Sequence, residues 1–205
     1  LCAVALVAVL LRRALRLAGG DADQANRVSL LATALWALHP ALTETVTYVS
    51  GRSMGLSSLL VLVALVAATG TRPRPVLAWL AALAAPLARE TALVTPLLLL
   101  LWQITVGRGQ GQQVCRALPV WIGAGLAGLM VAAMPGHRAL VDFSLDQRGP
   151  LDALRANLYA LPEMLRLWLA PWRISVLPPQ PVVQGWTDAP MLLRIAGLGA
   201  SAMVA

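Results

Sequence analysis

A histidine, a carboxylate and an arginine fall within fourteen residues of one another, in the run His39-Pro-Ala-Leu-Thr43-Glu44-Thr-Val-Thr-Tyr48-Val-Ser-Gly51-Arg52. Ionisable groups beside apolar membrane segments are costly, by ~2.5–3.5 kcal/mol at the centre of a span and less near its ends, so His39, Glu44 and Arg52 are candidates for function. The bland alternative is equally consistent with the residues alone: Pro40 can open a helix at its first turn, where the dipole favours the Glu44 anion. A second pair, Arg89-Glu90, interrupts a long apolar stretch. A recessed arginine can hold phosphate through a charge-assisted fork, with Glu90 orienting it; the competing reading is a charged pair that merely ends a helix. His137, Arg138, Asp142, Asp146 and Arg148 read as a solvated polar loop without metal-ligand spacing. There is no glycine-rich phosphate loop, no Ser/His/Asp set and no nucleic-acid motif.

The elements that must position these groups read as membrane spans. Apolar residues make up 59% of the 205 and charged residues only 12%, with mean hydropathy +0.73. A soluble domain carries about a quarter charged residues, and 205 residues cannot enclose so much apolar surface. A helix needs roughly 20 residues to cross the hydrocarbon layer. Apolar runs cover 1–11, 28–49, 55–69, 76–88, 91–106, 118–134 and 189–205, or about seven spans. The run before Arg89 has only 13 residues, so its end is expected below the membrane surface. The first and last runs are apolar to the chain ends, and the chain is expected to be a fragment cut within membrane segments. Cys2 and Cys115 are expected to be small packing residues.

All sixteen basic residues are arginine, and their positions give an orientation. Arg12, Arg13, Arg16, Arg27, Arg72, Arg74, Arg108 and Arg116 fall in alternate loops, whose acids are Asp21 and Asp23. The positive-inside rule puts those loops in the cytoplasm. The net charge of +7 therefore concerns orientation rather than nucleic acid. His39 to Arg52, Arg89-Glu90 and the stretch 135–190 then face outward. Within that stretch Leu151, Leu154, Leu158, Leu161, Leu165 and Trp168 recur at three- and four-residue steps, predicting a helix over 151–169 that lies in the interface plane. Trp168, Trp172 and Trp186 suit headgroup depth, and Pro178-Pro179-Gln180-Pro181 reads as an extended loop. The expected organisation is transmembrane helices over 1–134, an outer loop over 135–190 and a further span from 191, an all-α polytopic bundle. Arg194, early in that last run, is expected to snorkel.

The stretch LWALHPALTETVTYVSGRSMGLSSLLVLVAL, with its His-Pro, Thr-Glu-x-Val and Gly-Arg elements, resembles the TMTC family, the transmembrane and tetratricopeptide-repeat O-mannosyltransferases, and their bacterial relatives. LAAPLARETALVTPLLLLLW is similar to their Ser-Lys-Glu segment, with Arg89 in place of Lys. Asn157-Leu-Tyr159 to Pro171-Trp172 resembles an outer-loop segment of the family. The three stretches occur in the family's order and cover roughly residues 30–180. The family belongs to the glycosyltransferase C superfamily, multi-span enzymes that take a sugar from a polyprenyl-phosphate carrier at the outer or lumenal face. The resemblance implies inverting transfer with a carboxylate base in a first outer loop upstream of Leu1, and tetratricopeptide repeats downstream of the membrane region.

With that resemblance, the expected function is transfer of a mannose-like sugar from a polyprenyl-phosphate carrier to a protein hydroxyl or a glycan acceptor, in the bacterial inner membrane or the endoplasmic reticulum. Arg89 is the first choice for the cation facing the lipid phosphate, Arg52 the second, with Glu90 beside them; Glu44 and His39 position acceptor, phosphate or a divalent metal. The alternatives are another lipid-carrier enzyme, such as a polysaccharide polymerase or ligase, and a transporter. A transporter would place charges near the midplane on broken helices.

Overall fold

A computed structural model describes residues 1–42, 51–70, 72–106, 113–147 and 149–169. These residues are mostly helical and contain no strand. Helices α1 (Cys2–Leu17), α2 (Ala22–Ala37), α3 (Gly51–Thr69), α4 (Pro75–Ala88), α5 (Thr95–Thr105), α6 (Gln113–Ala133), α7 (Pro135–Gln147) and α8 (Pro150–Leu169) follow in order. Two 3-10 turns interrupt them, Pro40–Leu42 and Glu90–Val94. The chain forms two compact units, residues 1–137 and 138–205.

Local chemistry sets the breaks. α1 does not stop at Arg12 as the hydropathy suggests; it continues through Arg13 and Arg16 to Leu17. It ends in a double backbone clasp, with the Gly19 N–H donating to Arg16 O at 3.1 Å and the Gly20 N–H to Leu15 O at 3.0 Å. That clasp needs a left-handed residue just past the helix, and Gly19 has φ +89°. Asp21 then caps α2, accepting from the Asp23 N–H at 3.1 Å. α2 ends at Ala37, short of the expected far end at Val49, because Pro40 lacks an N–H and disfavours α geometry at His39. α4 opens on Pro75, where the missing N–H costs nothing. It ends at Ala88, followed by Arg89 in extended conformation, φ −162° and ψ 128°.

In the first unit α3 and α4 form an antiparallel pair. The Arg74 N–H donates to Ala67 O at 3.0 Å at the closed end, and Ser57 Oγ donates to Ala85 O at 3.2 Å at the other. α6 runs alongside α4, with Gly123 against the Trp79–Leu83 backbone and Gly128 against Leu93. α1 lies beside α3, since Arg13 Nη1 donates to Val66 O at 2.7 Å and Thr69 Oγ1 at 3.3 Å. Val66 O is a carbonyl of the last turn of α3 and Thr69 Oγ1 a hydroxyl at its end, where a cation also suits the helix dipole. Arg13, Arg72 and Arg74 thus gather at one end of the unit, and Arg89 lies at the other.

What the unit buries is unusual. Among the described residues twelve of seventeen buried apolar side chains are alanine, and Ser29, Thr33, Ser57 and Thr95 are buried with them. Large side chains face out: α2 buries Ala25, Ser29 and Thr33 while Leu31 is 67% and Leu35 73% exposed. By length and composition one described helix, Gly51–Thr69, can cross a membrane, or two if Ala117–Ala133 and Pro135–Phe143 are taken as one broken span. α4 and α5 are shorter, at 14 and 11 residues. Cys2 is exposed rather than packed.

In the second unit the helix expected over 151–169 is α8, Pro150–Leu169. Of its apolar stripe Leu151, Leu154 and Leu161 are exposed and Leu158 is half-buried. Arg155 pairs with Asp152 at 2.9 Å across one turn. The polar run from His137, expected as a loop, is helical: α7 carries His137, Arg138, Asp142 and Asp146, and Pro135 opens it at the first position, where proline is tolerated. Trp172, Trp186, Arg194 and the Pro178–Pro181 run lie outside the described residues, as does Arg148.

Candidate functional site

Arg89 owes its position to how α4 stops. Ala85 O accepts two bonds, from the Arg89 N–H at 3.1 Å and from Ser57 Oγ at 3.2 Å. The second ties the last turn of α4 to α3, and Ser57 is 4% exposed. After Arg89 the chain tightens into the Glu90–Val94 turn, which packs against α3, α4, α5 and α6. Ala92 is buried in that turn, and the buried Thr95 hydroxyl bonds back to Ala92 O. Both sides of Arg89 are therefore fixed, while Arg89 itself is half-buried and Glu90 exposed.

One nitrogen of the Arg89 guanidinium lacks an acceptor among the described residues. Its Nε is buried without a hydrogen bond. A buried donor with no acceptor costs about 1–3 kcal/mol, more where the group is charged. An acceptor brought to that donor would relieve the cost, and the planar guanidinium matches the oxygens of a phosphate.

The other expected site residues stand as follows. His39 lies between α2 and the Pro40–Leu42 turn, half-exposed, with its N–H on Trp36 O at 3.1 Å and its carbonyl accepting from Leu42 at 3.0 Å. α2 reverses from α1 at Gly19, so His39 belongs to the end of the unit opposite Arg13. Arg52, expected in a loop, is an exposed residue of α3. It is five residues from Ser57 and so falls at the Arg89 end of the α3–α4 pair. Glu44 lies outside the described residues, as do Thr43 and Tyr48. Among the described residues no group of three or more His, Cys, Asp or Glu could hold a metal ion.

Sequence reasoning missed Ser57. The available signal was a hydroxyl pair, Ser57-Ser58, inside an apolar run, since a serine that faces other helices in such a run usually bonds to a backbone carbonyl. It also missed the second arginine cluster, Arg13 with Arg72 and Arg74, because the contact joins residues more than fifty apart. No family model matches the chain, and neither a curated protein nor a solved structure matches it.

Proposed function

We propose that this chain belongs to a polytopic membrane glycosyltransferase that uses a polyprenyl-phosphate-linked sugar, in line with the TMTC-like stretches around His39 and Arg89. The observation that carries the chemistry is Arg89: a half-buried guanidinium, its Nε unpartnered, on an extended residue fixed by helices on both sides. The membrane half of the reading is supported by the burial pattern. Helices that associate in lipid pack small and hydroxyl residues against one another and turn large apolar side chains outward. The Ala-Ser-Thr interior and the exposed leucines of α2 follow that rule. The exposed Leu151, Leu154 and Leu161 of α8 suit a helix lying at the membrane interface.

In the proposed reaction an acceptor hydroxyl oxygen attacks the anomeric carbon. Its proton passes to a base as the bond from that carbon to the carrier's phosphate oxygen breaks. The departing phosphate gains negative charge. Arg89 faces it and is worth most there because it is already oriented and partly desolvated. Glu90 orients the guanidinium, Arg52 adds charge, and His39 and Glu44 position the acceptor. Purified protein given a polyprenyl-phosphate mannose and a hydroxyl acceptor should release the carrier phosphate and form one glycosidic bond per phosphate freed. Flux of the sugar across a sealed vesicle with no bond formed would instead favour a transporter, a reading that the helix break at Arg89 also suits.

The orientation is testable separately. Because Cys2 is exposed, labelling is done with Cys2 and Cys115 replaced by alanine. A membrane-impermeant maleimide added from outside should modify Ser144→Cys and spare Gly109→Cys until the membrane is opened. The reverse pattern would put Arg89 on the wrong side for an outer-face donor.

A further inference from the structure

At the end of the first unit opposite Arg89, Arg13, Arg72 and Arg74 line a cavity of about 460 Å³. Its size falls within the ~300–1,000 Å³ range of ligand pockets and far exceeds the ~30 Å³ of one water. One part of the wall is cationic; the rest is apolar, including Leu6, Val63 and Leu77. Arg13 is anchored, with Nη1 bonded to Val66 O and Thr69 Oγ1. A guanidinium carries five N–H donors, so the anchored group still has donors to offer. Arg72 and Arg74 are exposed, and no carboxylate pairs with any of the three among the described residues. Asp21 and Asp23 lie at the same end, and Asp21 is engaged in capping α2.

Three like charges around one cavity repel one another, and an anion relieves that repulsion. A small free anion would satisfy the guanidiniums and leave the apolar wall facing water. A phosphodiester bearing acyl chains satisfies both: its phosphate lies between the arginines and its chains run along Leu6, Val63 and Leu77. We infer that this cavity is a binding site for the phosphate headgroup of an anionic phospholipid in the arginine-rich leaflet, separate from the Arg89 site. Basic pockets between membrane helices commonly take such headgroups. The site would hold α1 against the α3–α4 pair, since Arg13 joins α1 to α3 and Arg72 and Arg74 lie in the connection from α3 to α4.

The inference rests on the membrane half of the proposed function, so alkaline carbonate extraction of the expressed protein comes first. Release from the membrane would overturn both. For retained protein, lipid bound to the detergent-purified chain is counted by native mass spectrometry after exchange with phosphatidylglycerol, with phosphatidylcholine, or with phosphatidylglycerol plus inorganic phosphate. The expected result is preference for phosphatidylglycerol over phosphatidylcholine that millimolar phosphate weakens only slightly. The variant Arg72→Gln/Arg74→Gln should lose about fivefold in that preference per arginine, roughly 25-fold for both. Neither side chain is buried, so the variant should melt with the wild type when no lipid is added. Equal binding of the two lipids would overturn the site whether or not the variant folds. Full displacement by inorganic phosphate would overturn the lipid and leave a free-anion site. Unchanged preference in a folded variant would place the lipid elsewhere.

Discussion

Arg89→Ala should lower sugar transfer from a polyprenyl-phosphate donor by about 100-fold or more while leaving the protein at least as stable as the wild type. The two halves of that expectation have one origin. In the resting protein the Arg89 Nε is buried and unpartnered, so truncation removes an unsatisfied donor rather than a bond. During transfer the same guanidinium faces a phosphate that is gaining charge, and deleting one fixed donor of this kind costs roughly 2.7–4 kcal/mol in comparable sites. The loss should appear in kcat as well as in kcat/KM, because the interaction strengthens as the bond breaks. Arg89→Lys should be milder, about tenfold, since it keeps the charge and loses the fork. The Lys that the resembled family carries at the matching position agrees with that order. Activity and melting are measured on the same purified samples. Near-normal transfer by Arg89→Ala would return Arg89 to a helix-end charge. A lower melting temperature together with lost activity would make it a structural residue.

Some of this was legible in the sequence because it depends on short-range signals. The break at Arg89 shows as two charges in the middle of an apolar stretch, and the short run before it becomes the 14-residue α4. α8 shows as leucines at three- and four-residue steps from Leu151. Other features depend on which face of a helix meets a neighbour, and hydropathy does not record that. Ala64, Ala78 and Ala82 count as apolar wherever they point, so the division into a small-residue interior and a leucine exterior emerges only when helices are placed. Charge misled in two places. Arg13 read as the end of a span, yet it continues α1 and caps α3 from 53 residues away. The polar run from His137 read as a loop, yet Pro135 starts a helix there. The cap at Gly19 and Asp21 was missed although residue type carried a signal, a glycine past a helix end followed by an aspartate before the next. His39, Glu44, Arg52, Arg89 and Glu90 were grouped by depth alone; His39 and Arg52 fall at the Arg89 end of the first unit, Glu44 lies outside the described residues, and a shared end of a bundle is weaker than contact.

The second large effect is expected at Gly123, where α6 meets α4. A Cβ added there would stand 2.6 Å from Trp79 O and 3.1 Å from Leu83 N, with Ala82 Cβ at 3.3 Å. Two of the three are backbone atoms of α4, which cannot rotate aside, so the helices must separate. Forcing one extra carbon into packing of this kind costs about 1–3 kcal/mol. Gly125 is two residues away on the same helix, and a Cβ there meets nothing within 4 Å. Alanine should therefore stabilise at 125 through the lower entropy of its unfolded chain, by about 0.5–1 kcal/mol, and destabilise at 123. At about 2–4 °C per kcal/mol for a chain of this size, Gly123→Ala should melt roughly 5 °C or more below Gly125→Ala. The consequence reaches the candidate site, because the end of α4 that holds Arg89 is positioned by packing on α3 and α6. Gly123→Ala should therefore also reduce transfer well below its melting temperature, whereas Gly125→Ala should leave it unchanged. Thermal unfolding in detergent and transfer assays on the two variants decide the matter. Equal melting would mean that α4 and α6 do not approach closely at Gly123. A melting difference with equal transfer would show that the α4–α6 contact stabilises the unit without setting the position of Arg89.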